Sequence, residues 1–484
     1  MKEKLDEIAR KWDTSGAVLV LRENTFIHEN VYGFSDRENE KKMNEQDTFA
    51  LSLRSPLFLG LALLALLDRD LIHLDDHLNK YIPEYPYSDQ ITINNLLFHT
   101  SGIMDYFYSH TMLELQKDED YKILTVEEKF RTERILYEQN VSFEEVFDIV
   151  KDKPLDFLPG QRDYDWSLTN IIFLTEVVER ISGMNIFTFL KKEAFDPWGM
   201  NHICLGYHPT TVSYSCMKDT VLVRLPYCEQ LDHAVTVTIA DIKALMKALM
   251  NRKTFKKAAW NKALTFNKEG FNMLAENANG ICCATATLLG YEMNLYFDWR
   301  IQLSYVHLSN EMQILIRSED EIRYFRKEMR ELIEMETTHP KFTKLMPYCE
   351  QTAWGAMDLK VDETQRSYVF DAKTTLCFAL IKPRVRKTYV LVEGMRAVGI
   401  LVLSVDRKNS YYHIDVILID KRYQHRGFGK IMLQKAIKIL KAKGAKQIEI
   451  GVNRNNTAAY KLYLGAGFKA TTIYDQGMAL QLDL

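Results

Sequence analysis

Gln424-His425-Arg426-Gly427-Phe428-Gly429-Lys430 has the residue types to hold a phosphate group. Its glycines let a bulky anion approach the backbone and tolerate strained dihedrals. Arg426 and Lys430 add full positive charge. A helix beginning here would add N–H groups without carbonyl partners and a partial positive charge. The spacing excludes two common phosphate loops. It is shorter than the dinucleotide-binding loop, and it lacks the Gly-Lys-Ser/Thr ending of nucleotide triphosphatases.

The flanking segments supply the elements such a loop needs. Ile414 to Ile419 is a short apolar run rich in β-branched residues, suited to a buried strand. Asp420-Lys421-Arg422-Tyr423 is a polar turn. After the loop, Met432, Leu433, Ala436, Ile437 and Leu440 share one helical face, and Lys435, Lys438 and Lys441 mark its wet side. Gly444 is a stop signal. Downstream, Gln447 to Val452 alternates like a half-buried strand, Asn456 opens a short helix carrying Tyr463, and strands near 468–474 and 477–483 follow. Upstream, the pattern predicts a strand over Leu359–Val361, a capped helix from Asp362, and strands over Tyr389–Val392 and Val398–Leu403.

The loop, followed by Asn456-x-x-Ala459-x-x-Leu462-Tyr463-x-x-x-Gly467-Phe468, resembles the acetyl-CoA signatures of the GNAT N-acetyltransferases. The resemblance covers residues 357–484. Asp358-Leu359-Lys360-Val361-x-Glu363-x-Gln365, Val398-Gly399 and Met478-x-Leu480-x-Leu482 are similar to bacterial spermidine/spermine acetyltransferases. The resemblance implies an α/β fold with a mixed, mostly antiparallel sheet flanked by helices. It implies acetyl-CoA as co-substrate, no metal, and direct transfer to a small amine, with a polyamine as the first class. Ile417, Leu418 and Ile419 would offer backbone groups to the pantetheine arm. Gln424, His425, Arg426, Gly427, Phe428, Gly429 and Lys430 would hold the pyrophosphate, and Asn456 would contact CoA. Tyr463 would be the general acid and Asp415 the general base, with His413 as a second candidate for the base.

The first part of the chain carries a different set of motifs. Leu74-Asp75-Asp76-x-Leu78-x-Lys80-Tyr81-Ile82-Pro83, Ile91-Thr92-Ile93 with His99-Thr100-Ser101-Gly102, Phe157 to Gly160, Glu176 to Gly183 and Phe195 to Met200 occur in order. Together they resemble the serine β-lactamase/penicillin-binding-protein-like family, in its class C and esterase-like branch, over residues 1–335. This implies an α+β, transpeptidase-like fold. It also implies where a nucleophilic serine and its lysine base should stand, three residues apart at a helix start. Those positions are Leu53 and Pro56. Ser52 is one residue off, and the residue three further on is Ser55, not lysine. The second motif falls on Trp166-Ser167-Leu168 and the third on Ala284-Thr285-Ala286. The expectation is a catalytically inactive lobe for substrate binding or regulation, joined by a linker at 336–356 to the acetyltransferase domain. Two other readings stay open: a non-catalytic regulatory or binding protein, and a serine-type hydrolase with an unrecognised nucleophile.

Charge divides the chain the same way. Residues 357–484 hold 22 Lys and Arg against 11 Asp and Glu, whereas 1–356 hold 40 against 54. A basic segment suits a polyanion such as CoA; without a recognition motif it does not argue for nucleic acid. The seven cysteines are scattered and have no Cys-x-x-Cys spacing, which suits a reducing compartment. The N-terminus has no signal-peptide core, and Leu57–Leu67 is too short to span a bilayer, which takes ~20 residues. The expectation is a cytoplasmic protein whose partner is a small amine, not nucleic acid or membrane. Homo-oligomer assembly is compatible with the sequence.

Overall fold

The computed structural model describes residues 1–484 except 163, 218–220, 229–230, 279–280, 313–318 and 395. The chain forms two compact units, Met1–Ile333 and Glu334–Leu484. Among the described residues, no helix is long and apolar enough to cross a membrane.

The first unit is built on the helix Pro56–Asp68. Its sequence is apolar all round, the pattern of a helix buried on every side, and residues 57 to 67 are buried. Pro56 occupies the first turn, where its missing N–H costs nothing. A Cβ on Gly60 would lie 1.9 Å from the Met273 carbonyl oxygen, so only glycine permits that backbone approach. Beside it lies an antiparallel sheet in the order Glu276–Ala278, Ile281–Leu288, Tyr291–Asp298, Leu303–Ser309, Gly16–Arg22, Thr25–Tyr32. Leu303–Ser309 and Tyr291–Asp298 are buried along their whole length, as expected of strands covered on both faces. A separate ladder pairs Thr48–Ser52 antiparallel with Ala234–Thr238, setting Ser52 opposite Ala234.

The second unit has elements β1 (Thr343–Pro347), α1 (Glu350–Met357), α2 (Ala372–Leu380), β2 (Arg386–Glu393), β3 (Arg396–Asp406), β4 (Tyr411–Ile419), α3 (Phe428–Ala442), β5 (Gln447–Asn453), α4 (Thr457–Gly465), β6 (Lys469–Ile473) and β7 (Gly477–Asp483). The sheet order is β1-β2-β3-β4-β5-β7-β6. Every pairing is antiparallel except β4 with β5. One core gathers Ala356 of α1 and Leu376 of α2 with Ile400, Val402 and Leu418. The other gathers Met432 and Leu433 of α3 and Tyr463 of α4 with Leu401, Leu403 and Ile414. The sheet therefore separates α1 and α2 from α3 and α4.

Two expectations are corrected here. Residues 336–356 are not a linker: they contribute β1, paired with β2 from Thr343↔Glu393 to Pro347↔Tyr389, and α1. Thr-Lys-Leu-Met-Pro is a half-exposed edge strand with little alternation to betray it. Leu359–Val361 is not a strand. Leu359 and Val361 are buried, but the backbone between them is satisfied elsewhere: Lys360 N–H donates to the Asp420 carboxylate (2.9 Å), and the Lys360 carbonyl accepts from Lys421 N–H (2.7 Å).

Candidate active site

β4 and β5 run parallel but pair only at His413↔Glu449 and Ile414↔Ile450. Both continue, β4 to Ile419 and β5 to Asn453, so a wedge opens between them. On its other edge β4 stays bonded to β3 as far as Ile419↔Gly399. Strand backbone groups point alternately to the two sides, so half of those in 415–419 face the wedge without a ladder partner.

A bulge shapes this strand. Val402 pairs with Val416 and Leu403 with Ile414, leaving Asp415 as the extra residue. A one-residue insertion inverts which side chains face which side. Tyr412 and Ile414 belong to the α3 core before the bulge, Ile417 and Ile419 pack on that core after it, and Leu418 points the other way. The bulge also strengthens the local twist, which suits strands that part just beyond it.

The loop leading to α3 is held from below. Asp420 is fully buried and accepts from Lys360 N–H, Arg422 N–H and the Arg422 guanidinium. Gln424 and Gln365 form a reciprocal amide pair (2.9 and 3.0 Å), and Gln424 Nε2 also donates to the Ile419 carbonyl (3.0 Å). Gly427 caps α3 in the left-handed region, φ 86°, and His425 is left-handed at φ 58°. Phe428 is fully buried, its ring 5.8 Å from that of Tyr423, and pins the first turn. His425, Gly427 and Lys430 are exposed. Gly429 leaves the backbone bare beside Leu462.

The structure gives Arg426 a different task from the one expected of it. Its guanidinium donates to the carbonyls of Met335 (2.8 Å), Glu336 (3.2 Å) and Thr338, at the end of the helix Glu319–Thr337. Those are the carbonyls a helix leaves unpaired, and a cation there also meets the negative end of the dipole. Lys430 has no such partner among the described residues and remains available to an anion. Asn456 caps α4, its Oδ1 accepting from Ala459 N–H at 3.1 Å.

Tyr463 sits on α4, 6 % exposed, its ring 6.1 Å from Phe468. Burial raises its pKa well above that of a free phenol, so it is protonated at neutral pH. Its hydroxyl has no hydrogen-bond partner among the described residues.

Asp415 and His413 come together. Asp415 Oδ1 lies 2.7 Å from His413 Nδ1, while Oδ2 accepts from Ser404 Oγ (2.5 Å) and faces Arg386 Nε (3.3 Å). Arg386 is itself fixed, stacked 3.6 Å over the Phe378 ring and donating to the Phe378 carbonyl. Both carboxylate oxygens are therefore occupied. A carboxylate only accepts, so Nδ1 of His413 carries the proton and Nε2 presents its lone pair. Glu449, opposite His413 on β5, is exposed. Gln365, Arg386, Ser404 and Glu449 carry no motif; only the sheet register brings them here.

In the first unit the three expected motif segments do converge. Pro56, Trp166, Leu168 and Thr285 line one cavity of about 140 Å³, and Pro56, Trp166 and Thr285 also border a larger one of about 610 Å³. Leu53 is fully buried in the core, and no lysine follows it one turn on. Among the described residues there is no cluster of His, Cys, Asp and Glu fit to hold a metal.

Comparison with known proteins agrees with this division. Residues 6–306 match the Beta-lactamase family model, and residues 350–468 match that of the Acetyltransferase (GNAT) family. The first unit is similar to the Bacillus subtilis penicillin-binding protein PbpX, 22% identical over 274 residues that make up 54% of this chain and 62% of PbpX. The chain thus spans less than two thirds of that relative. The crystal structure of a penicillin-binding protein from Bacillus halodurans superposes with TM-score 0.52 at 20% identity, covering 68% of this chain and 99% of that one, a likeness of fold alone. The second unit is similar to the spermine/spermidine N(1)-acetyltransferase of Bacillus subtilis, 32% identical over 120 residues that make up 23% of this chain and 78% of that enzyme. The chain therefore belongs to the beta-lactamase family in its first unit and to the GNAT acetyltransferase family in its second.

Proposed function

We propose that the second unit transfers an acetyl group from acetyl-CoA directly to a small amine, with polyamines the first acceptor class. The observation that carries this reading is the β4/β5 wedge, with a glycine-lined helix start at its mouth and the buried, protonated phenol of Tyr463 on α4. The residues present fit acetyl-CoA. The bare N–H groups at the start of α3 and the Lys430 ammonium suit its pyrophosphate. The backbone groups of 415–419 that face the wedge, away from β3, suit the amides of its arm. When bound, acetyl-CoA supplies the acetyl thioester.

The side chains then divide the proton work. An alkylammonium has a pKa of ~10.4 and must lose a proton before it can attack. His413 Nε2 takes that proton, while Asp415 holds the ring in the needed tautomer and stabilises the imidazolium. Asp415 thus acts through His413. Glu449, across the rung from His413, offers the incoming cation a counter-charge. Tyr463 gives its proton to the departing sulfur; burial keeps that proton in place until then. Tyr412 and Ile414 face the α3 core, so His413 projects on the opposite face from Tyr463, and the wedge is the passage between them.

The first unit, without the serine–lysine pair, serves in this reading as a binding or regulatory lobe. The test is thiol release from acetyl-CoA by the full chain with spermidine, spermine and simple alkylamines. Amine-dependent release is expected, with kcat about 10²-fold lower in Tyr463→Phe. No release with any amine overturns the proposal.

A further inference from the structure

The first unit holds a hydroxyl–imidazole pair that the family motifs do not assign. Ser52 closes the strand Thr48–Ser52, and its Oγ lies 2.9 Å from His233 Nδ1. The other ring nitrogen of His233, Nε2, lies 3.0 Å from the Glu138 carbonyl oxygen. A carbonyl only accepts, so Nε2 carries the proton and Nδ1 is bare. Ser52 is then the donor, with its O–H directed at the imidazole lone pair. The backbone fixes the pair: Ser52 is in register with Ala234, and Leu53 N–H donates to the His233 carbonyl at 2.8 Å. Both side chains line the cavity of about 140 Å³, together with Arg54 and the hydroxyl-bearing Thr285 and Thr287.

We propose that Ser52 and His233 form a second catalytic site, which takes acyl groups of acetyl size from activated esters. The elements are a nucleophile, a base within hydrogen-bond reach of it, a group orienting that base, and donors around an enclosed space. Ser52 Oγ bonds to the ester carbonyl carbon as its proton passes to His233 Nδ1. The ester C–O bond breaks, and the proton leaves with the alcohol. Water then attacks the acyl-serine and gives a proton to His233; as the acyl C–O bond breaks that proton passes to Ser52 Oγ, releasing the carboxylic acid and restoring the serine hydroxyl and the neutral imidazole. The threonine hydroxyls are the donors for the oxygen that gains charge; Arg54, whose guanidinium donates to the Val141 carbonyl (3.1 Å) and faces Asp232 (3.7 Å), adds positive charge at the cavity wall. The orienting group is a neutral carbonyl, and burial with the nearby Arg54 charge lowers His233 to about 3, so the imidazolium forms only in passing. Both steps are therefore slow, and with an activated ester, whose alcohol leaves more readily than serine does, deacylation is the slower and the acyl-serine accumulates.

The test treats the full chain with p-nitrophenyl acetate, quenches in acid and maps peptides by mass. One acetyl group is expected on Ser52, none at that peptide in Ser52→Ala, and acetylation at least ~10²-fold slower in His233→Gln. Acetyl on surface lysines but not on Ser52 overturns the proposal, as does equal labelling of Ser52 in His233→Gln. Melting curves accompany each variant. If a variant does not fold, the wild-type map decides alone. The outcome is independent of the acetyltransferase reading, because the mapping is repeated in Tyr463→Phe.

Discussion

At the residue scale, catalytic roles follow from which atoms are already engaged. Asp415 is a carboxylate, but both its oxygens are spoken for, while His413 keeps Nε2 free. His413→Gln is expected to lower kcat by about 10²–10³-fold with little change in the KM for acetyl-CoA, read from steady-state kinetics. Asp415→Asn is expected to lower kcat as well, and also to lower the melting temperature. It strands the half-buried Arg386, and breaking such a pair costs about 3 kcal/mol or more. His413→Gln leaves melting almost unchanged, so the two variants separate a catalytic from a positioning role. Arg426 makes the converse point. Arg426→Ala is expected to cost about 1–3 kcal/mol of stability through lost charge-assisted bonds, seen in denaturant unfolding, with KM for acetyl-CoA nearly unmoved. Lys430→Ala is expected to raise that KM without touching stability.

At the element scale, the site is a defect in a regular sheet. The bulge at Asp415 inverts the facing of β4, and the ladder with β5 ends one rung earlier, at Ile414↔Ile450. Gly451 sits beyond that rung, between the buried Ile450 and Val452, and a Cβ there would meet nothing within 4 Å. It shares a face with Glu449, the face on which the amine is proposed to arrive. Gly451→Leu is therefore expected to raise the KM for the amine while leaving the KM for acetyl-CoA and the melting temperature close to wild type. Equal rises in both KM values would place the acceptor elsewhere. The strands and helices around this defect were legible because each has its own period, as with Met432, Leu433, Ala436 and Leu440 on α3. The edge strand β1 was not, because a half-exposed strand with five mixed residues has no period to read.

At the scale of the molecule, buried titratable groups of the first unit set its response to acid. Burial lowers His99 to about 4, and burial with a nearby arginine charge lowers His233 and His307 to about 3. Unfolded histidine binds its proton near 6.5, so their stabilisation is complete above that pH and is lost as pH falls toward the folded values. Glu138 opposes them. Burial raises it to about 7, so its contribution is present below the ordinary carboxylate pKa and is lost as pH rises through about 7. The two effects compete down to about pH 4.5; below it Glu138 no longer offsets the histidines, and Asp76, held at about 2 by hydrogen bonds that outweigh its burial, adds to the loss. The first unit is expected to unfold steeply below that point, followed by tryptophan fluorescence, and His307→Gln to move the midpoint to lower pH.

The sequence by itself determined the two families, the order of their motifs, the phosphate loop, Tyr463, and the loss of serine and lysine at Leu53 and Pro56. Those are local facts, carried by residue type and short spacing. Only the tertiary structure decided the rest: that Arg426 closes a helix about 90 positions upstream in the chain, that Asp415 bonds to His413, that Glu449 lies across from it, and that Ser52 meets His233 across a strand pair. Each joins residues through backbone register and burial. Spacing along the chain does not encode which strands pair or which atoms a fold has already used.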